Sequence, residues 1–129
     1  MEILKIEGQE LTPKVTLDPG AGLLQLTGRS IPANAVEFYA PVIDWIKEYS
    51  ENPASETTLL VNLEYFNTSS SKKMWDIMKQ LKLLQDAGKT TVKVEWHYEE
   101  DDEDLRDAAL EYEKILGLNF KLIPGSPSR

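Results

Sequence analysis

Residues 57–75 read TTLLVNLEYFNTSSSKKMW, and they contain the clearest signals of secondary structure in the chain. Its first ten residues are β-branched and nearly all apolar, which predicts a strand buried on both faces of a sheet. A helix is predicted directly afterwards, from about Ser70 to Ala87, because apolar residues recur there with helical spacing. The members of this apolar stripe are Met74, Ile77, Met78, Leu81 and Leu84. A buried strand that leads into an amphipathic helix is typical of an α/β domain.

The rest of the chain continues this alternation. Three short segments with alternating apolar and polar residues come first, and segments with the pattern of helices and strands then follow one another to residue 124. The order βββ-α-β-α-β-α-β predicts an α/β fold, with a mixed sheet of about five or six strands and three helices. We expect residues 1–124 to form a single domain and residues 125–129 to form a flexible tail.

Residues that begin or end helices help to locate the first and third helices. An apolar stripe over residues 39–49 predicts the first helix, with Pro41 in its first turn or at a kink because proline has no backbone donor. Asn34 is expected to cap a short turn before that helix. Residues 102–117 predict the third helix, which ends at Gly117.

Composition narrows the functional classes. The 129 residues include no cysteine, which excludes disulfides and thiol chemistry and agrees with a reducing cytoplasm. The single histidine, His97, excludes multi-histidine metal sites, and no phosphate-binding loop or nucleophile–base pair is visible. These absences rank a hydrolase or transferase behind a binding protein, and we expect no cofactor and no bound metal. We assign Trp45, Trp75 and Trp96 to the core.

The charge pattern restricts the partners. The net charge is −8, and residues 95–113 hold ten of the 22 acidic residues with one basic residue, Arg106. That stretch carries a net charge of −9, so the net charge of the remaining residues is about +1. The resulting negative electrostatic potential disfavours binding to nucleic acid and anionic membranes and favours binding to a basic protein surface. Because no apolar run approaches about 20 residues and the first ten residues do not resemble a signal peptide, we expect a cytoplasmic protein without membrane insertion.

The hydroxyl run from Thr68 to Ser71 has two compatible interpretations. One hydroxyl can cap the following helix by accepting a backbone N–H, and Ser69, Ser70 and Ser71 are the candidates. The run also lies at the carboxyl end of a predicted strand, where function concentrates in open α/β sheets. A phosphoryl group would be stabilised there by the free amides at the helix start. The run therefore predicts a helix cap, a phosphorylation site, or both.

The acidic run from Glu99 to Asp104 has three interpretations. Asp101 or Asp102 can cap the third helix, with the neighbouring carboxylates stabilised by the helix dipole. Six acids exceed what capping needs, so a patch that docks a basic partner is the second interpretation. A cation site comes last, since the run lacks the glycine and terminal glutamate of an EF-hand loop.

Three segments together resemble one family. They are GRSIPANAVEFYAP (residues 28–41), LEYFNTSSSK (63–72) and WHYEEDDEDL (96–105). Their combination and order resemble the SiaC family of small bacterial regulatory phosphoproteins over essentially the whole chain. The family's fold is similar to the STAS domain of anti-sigma factor antagonists, in which a phosphorylatable hydroxyl residue also lies where a strand meets a helix.

This resemblance implies a non-enzymatic, partner-switching regulator with Thr68 as its phosphorylation site. It implies a SiaB-like kinase that adds the phosphoryl group and a SiaA-like phosphatase of the PP2C type that removes it. The unphosphorylated form would bind and activate a SiaD-like diguanylate cyclase, which links the switch to cyclic di-GMP and biofilm formation. We place the partner-binding surface at the residues of these motifs: Asn34, Phe66, Asn67, Lys72, Asp101, Asp102 and Asp104.

The chain departs from the family pattern at two positions. Ala33 stands where the family usually has a glutamate, which removes a carboxylate near the expected contact surface. Ala109 stands in the third helix where the family usually has a glycine. An alternative function remains open, because STAS-like folds can also bind nucleotides or small hydrophobic molecules.

Overall fold

The sheet is assembled in the order in which its strands occur along the chain. The structure, a computed structural model that describes residues 1–125, contains a six-stranded mixed sheet with the spatial order β1 to β6. The strands are β1 (Leu4–Ile6), β2 (Lys14–Asp18), β3 (Leu23–Ser30), β4 (Glu56–Phe66), β5 (Thr91–Tyr98) and β6 (Asn119–Pro124). The helices are α1 (Ala35–Tyr49), α2 (Thr68–Asp86) and α3 (Glu103–Leu116). The predicted mixed α/β sheet with three helices is confirmed.

The two halves of the sheet differ in direction. Strands β1, β2 and β3 pair antiparallel, whereas β3, β4, β5 and β6 pair parallel. One helix joins each pair of neighbouring parallel strands, and the right-handed sense of such connections places all three helices on one face. The carboxyl ends of the parallel strands therefore meet at the edge where the helices begin.

The core lies between this face and the helices. Leu59 and Val61 of β4 are only 1% and 0% exposed, whereas Leu60 between them is half-buried on the opposite face. The expectation that β4 is buried on both faces is therefore only partly correct, because Asn62 on the second face is 3% exposed whereas Glu64 is at the surface. The second face of β4 carries no helix within the described residues, because successive parallel strands lie in chain order and all helices pack on one side.

Helix α1 begins earlier than predicted. Asn34 caps this helix itself, since its side-chain oxygen accepts the Glu37 N–H at 3.1 Å. Pro41 consequently lies inside the helix and not in its first turn. Pro41 cannot donate to the Glu37 carbonyl, but both residues are exposed, so solvent can reach that carbonyl.

Helix α3 ends as Gly117 predicts, and Gly88 follows the end of α2 in the same conformation. Gly88 and Gly117 have φ angles of 73° and 70°, the left-handed conformation that closes helices. Asp102 caps α3 by accepting the Leu105 N–H at 3.1 Å, which confirms one of the two predicted caps. Within residues 1–125 none of the helices is both long enough and apolar enough to cross a membrane. The predicted flexible tail, residues 125–129, lies outside the described residues except for Gly125.

Candidate functional site: the first turn of helix α2

The hydroxyl run begins where β3 and β4 end side by side. Ser30 and Phe66 are partners in the parallel register of these two strands. The backbone N–H of Asn67 donates to the Ser30 carbonyl at 3.0 Å, so the pairing continues to the residue before the helix. Helix α2 then starts at Thr68, two residues before the predicted start. The run is therefore the first turn of α2 and not a loop before it.

The cap of α2 is an asparagine. The side-chain oxygen of Asn67 accepts the Ser70 N–H at 2.9 Å and the Ser69 hydroxyl at 3.2 Å. The expectation that Ser69, Ser70 or Ser71 caps the helix is wrong, because the helix includes all three residues. Asparagine is among the strongest capping residues, so none of the four hydroxyls is needed for this purpose.

Ser70 is fixed in the interior. Its hydroxyl is fully buried and donates to the Ser30 carbonyl at 3.0 Å. The Ser30 hydroxyl lies 2.7 Å from the Ser70 oxygen and 2.6 Å from the Tyr39 oxygen. Since each hydroxyl has one proton, Tyr39 donates to Ser30 and Ser30 donates to Ser70. This chain of hydrogen bonds ties α2 to β3 and α1, and burial raises the pKa of Tyr39.

Ser71 is tied to the third helix. Its hydroxyl lies 2.8 Å from the Tyr112 oxygen, and the Tyr112 hydroxyl donates to the Ser71 carbonyl at 3.2 Å. The Tyr112 ring packs near Trp96 and Trp75, with centroid distances of 5.9 and 6.5 Å. Burial raises the pKa of the Tyr112 hydroxyl above its ordinary value, although its hydrogen bond with Ser71 opposes this shift. Side-chain hydrogen bonds therefore hold the start of α2 against β3 and α1 through Ser70 and against α3 through Ser71.

Thr68 and Ser69 remain at the surface. Both residues are exposed, and Thr68 is the first residue of the helix. Ser69 is bonded to Asn67, whereas the Thr68 hydroxyl makes no hydrogen bond with any residue in the range 1–125. Of the four hydroxyls, that of Thr68 is thus both exposed and unengaged within the described part of the chain.

A groove lies beside this turn. It has a volume of about 830 Å³ and runs between the start of α1, the first two turns of α2, and α3. Two predicted partner-binding residues line it, Asn34 and Lys72. The prediction did not include Val36, Trp75 and Tyr112, which supply apolar surface from three separate elements. Trp75 is half-buried, so its assignment to the core was only partly correct.

Two other predicted partner-binding residues, Phe66 and Asn67, have roles in the fold. Phe66 is half-buried, and its ring packs edge-on against Trp96 with a centroid distance of 6.0 Å. Asn67 forms the helix cap described above. Both residues border the hydroxyl turn, and no contact with a partner is needed to explain their positions.

The acidic run forms a separate surface. Asp101, Asp102, Glu103 and Asp104 line an open depression of about 410 Å³ that shares no residue with the groove. Asp101 and Asp104 are exposed, whereas Asp102 is engaged as the helix cap. Within residues 1–125, no cluster of acidic or histidine side chains has an arrangement that could hold a metal ion. The structure therefore divides the predicted partner-binding residues between two surfaces.

Comparisons with known proteins agree on one family. A family model described as SiaC family regulatory phosphoprotein matches residues 6–125. An uncharacterised protein of Pseudomonas aeruginosa strain UCBPP-PA14 is 33% identical over 122 residues, which cover 95% of this chain and 96% of that protein. Apo-SiaC from Pseudomonas aeruginosa has a TM-score of 0.86 at 32% identity, covering 95% of this chain and 99% of that chain.

A second solved structure shows a relative with its partner. It contains the diguanylate cyclase SiaD in complex with its activator SiaC from Pseudomonas aeruginosa. The TM-score is 0.87 at 32% identity, and the match covers 94% of this chain and 98% of that one. The family resemblance predicted from the three sequence segments is confirmed, and the chain belongs to the SiaC family of regulatory phosphoproteins.

Proposed function

We propose that this chain is a cytoplasmic, non-enzymatic partner-switching regulator controlled by reversible phosphorylation of Thr68. A SiaB-like kinase would add the phosphoryl group, and a SiaA-like phosphatase of the PP2C type would remove it. The output would be a SiaD-like diguanylate cyclase, and through it cyclic di-GMP signalling and biofilm formation. We further propose that residues 1–124 act as one STAS-like regulatory domain.

The observation that carries this proposal is the difference among the four hydroxyls. Ser70 is buried and Ser71 is bonded to Tyr112, so a kinase could reach either one only by breaking these contacts. Thr68 is exposed and its hydroxyl is unengaged within the described residues. Modification of Thr68 would therefore leave the packing of α2 intact.

Electrostatics supports the same residue. A phosphothreonine carries about −1.5 to −2 charges at neutral pH and three acceptor oxygens. Thr68 is at the amino end of α2, where the helix dipole and unpaired amides favour negative charge. No acidic residue occupies this first turn. The phosphoryl group would therefore alter the surface strongly while the helix tolerates it.

The partner assignment is supported by family membership. SiaC of Pseudomonas aeruginosa is the activator of the diguanylate cyclase SiaD and forms a complex with it. The present chain is 32% identical to that SiaC and has the same fold over nearly its full length. We therefore infer a diguanylate cyclase as the output partner of this chain.

Mass spectrometry of the chain isolated from its host tests the phosphorylation site. We expect a phosphoryl group on the peptide that contains residues 68–71, located on Thr68. The signal should disappear in Thr68→Ala and persist in Ser69→Ala, a matched control at the neighbouring exposed hydroxyl. Phosphate that persists in Thr68→Ala would move the switch to another residue, and its absence under every growth condition would leave the run as a structural turn.

The groove favours a second candidate function, the binding of a small molecule. A volume of about 830 Å³ lies within the range of ligand sites, roughly 300–1,000 Å³. A thermal-shift survey of nucleotides and small hydrophobic compounds distinguishes the two candidates. A saturable rise in melting temperature without a protein partner would favour ligand binding, and we expect none.

A further inference from the structure

The groove carries a positive charge on an otherwise acidic protein. Its ionised lining residues are Lys72, Lys73 and Asp76. The Lys73 ammonium lies 3.4 Å from the Asp76 carboxylate, so these two charges compensate each other. Lys72 is exposed and has no ion pair with any residue in the range 1–125. The groove therefore presents one uncompensated cation, although the whole chain carries −8.

Lys72 also lies next to Thr68 on the helix. The two residues are four positions apart in α2, so their side chains point to the same face with Cβ atoms about 5–6 Å apart. Thr68 does not line the groove but stands one turn before Lys72, at the amino end of the helix. A phosphoryl group on Thr68 would therefore be within reach of the Lys72 ammonium.

The remaining lining of the groove is mostly apolar. Val36 is 65% exposed, and Trp75 is half-buried on the opposite wall. Alanines and the Tyr112 ring complete the apolar surface. An apolar channel with one unpaired cation is complementary to a segment that presents an apolar side chain beside a carboxylate. A basic or purely polar segment would leave the charge of Lys72 without a counter-ion.

We propose that Lys72 is the counter-ion for which the partner and the phosphoryl group compete. In the unphosphorylated chain, Lys72 would pair with a carboxylate of an apolar, acidic segment of the output partner seated in the groove. In the phosphorylated chain, Lys72 would pair with phosphothreonine 68, and the partner's carboxylate would face a phosphate. This inference rests on the proposed function and adds to it the chemistry of the docked segment and the residue that senses the phosphate.

The pairing within the chain can be measured without any partner. The chain is prepared with phosphothreonine incorporated at position 68, and its phosphorus NMR signal is titrated with pH. A nearby ammonium lowers the second pKa of the phosphate, which is about 6 when unperturbed. Lys72→Gln should raise this pKa by a few tenths of a unit, as expected for a solvent-exposed pair. Lys72→Arg should preserve it.

Lys79→Gln is the matched control for this titration. Lys79 is exposed on the same stripe of α2, two turns further along and outside the groove. The substitution Lys79→Gln should leave the phosphate pKa unchanged. Equal phosphate pKa values in the wild-type chain and Lys72→Gln would overturn the proposed pairing.

Competition is tested by a double-mutant cycle with the host's SiaD-like diguanylate cyclase as the probe. Its affinity is measured for the wild-type chain and Lys72→Gln, each with threonine or phosphothreonine at position 68. We expect Lys72→Gln to weaken binding of the unphosphorylated chain about three- to tenfold. Phosphorylation should then weaken binding much less in Lys72→Gln than in the wild-type chain, because the shared counter-ion is already absent.

The outcomes of this cycle distinguish failure of the proposed phosphorylation switch from failure of the proposed role of Lys72. If phosphorylation leaves the affinity of the wild-type chain unchanged, the proposed switch itself is wrong. If phosphorylation weakens both backgrounds equally, the switch stands and the role of Lys72 is overturned. A change in the oligomeric state of the free chain in Lys72→Gln, measured by sedimentation, would assign the groove to a second copy and would also overturn the proposal.

Discussion

At the scale of single residues, neighbouring hydroxyls of the same chemical type have different surroundings. Ser70 is packed inside, Ser71 is bonded to α3, and Thr68 faces solvent. The backbone causes this division, because successive residues of a helix point about 100° apart. The residues that hold the helix in place and the proposed phosphorylation site are therefore different members of one run.

Mutation of the helix cap should therefore lower stability, whereas mutation of the proposed phosphorylation site should not. Asn67→Ala removes the cap of α2 and should lower the free energy of unfolding by about 1 kcal/mol. Thr68→Ala should change it by less than about 0.5 kcal/mol, since its hydroxyl is exposed and unengaged within the described residues. Urea denaturation of both variants measures the difference. An equal loss of stability in Thr68→Ala would make Thr68 structural and weaken the proposed switch.

Two of the buried tyrosines, Tyr39 and Tyr112, predict how stability depends on alkaline pH. Burial raises the pKa values of Tyr39 and Tyr112 above 10, the ordinary value. Because the folded state retains these protons more strongly than the unfolded state, their contribution is intact below about pH 10 and is lost as pH rises further. Denaturation midpoints between pH 8 and pH 11 should fall less steeply in Tyr39→Phe and Tyr112→Phe than in the wild type. An unchanged slope in both Tyr39→Phe and Tyr112→Phe would contradict the predicted loss of stability at alkaline pH.

At the scale of the elements, the turn between β2 and β3 constrains the sheet. Gly22 has a φ angle of 63°, and its carbonyl accepts the Thr58 N–H at 2.7 Å. A Cβ atom at Gly22 would lie only 2.2 Å from the Glu56 carbonyl oxygen, whereas one at Gly88 would meet nothing within 4 Å. The turn and the start of β4 therefore approach each other too closely for any side chain.

A matched pair of alanine substitutions tests this close approach. Gly88→Ala should cost about 1 kcal/mol, the usual penalty for a left-handed residue. Gly22→Ala should cost several times as much, because the β4 backbone must move in addition to that penalty. Thermal unfolding of both variants measures the ratio. Equal losses would show that the contact between the turn and β4 relaxes freely.

Hydropathy patterns predicted most of these elements. Periodic apolar residues located all three helices, and glycines marked the ends of α2 and α3. The start of α1 was missed because Pro41 indicated a first turn, although a proline on the exposed side of a helix can be tolerated further in. The start of α2 was missed because serine and asparagine both serve as caps, and only the backbone geometry distinguishes them. The uncovered face of β4 was missed because apolar content alone does not show on which side the helices pack.

At the scale of the whole molecule, charge is divided between two surfaces. The acidic depression around Asp101 and Asp104 is separate from the groove that carries Lys72. A partner with a basic surface would be attracted to the first, whereas a carboxylate would be attracted to the second. The two surfaces can therefore contribute separately to partner recognition.

Charge reversal tests the docking role of the acidic surface. Asp101→Lys with Asp104→Lys should slow association with the host's SiaD-like cyclase up to about tenfold at low salt and flatten its salt dependence. Stopped-flow measurements at several salt concentrations provide the rates. Asp44→Lys with Glu48→Lys, at two exposed residues of α1, changes the net charge by the same amount and is the control. If both variants associate at the wild-type rate, the acidic patch is outside the interface.

The candidate site could be predicted only in part. The hydroxyl motif and its family resemblance gave Thr68, Asn34 and Lys72 because these residues lie within short recognisable segments. The groove brings together residues from three elements that are distant in the sequence, Val36 of α1, Trp75 of α2 and Tyr112 of α3. No local pattern indicates such a convergence, since the three residues lie in separate helices and only Tyr112 belongs to the apolar stripe of its own helix.

The proposed switch requires that phosphorylation of Thr68 changes partner binding. Its most direct test is the affinity of the host's SiaD-like cyclase for the chain with threonine or phosphothreonine at position 68, with phosphoserine at position 69 as the positional control. We predict that phosphothreonine 68 weakens binding about tenfold or more and that phosphoserine 69 has a smaller effect. Equal affinity of the two Thr68 forms would contradict the proposed switch.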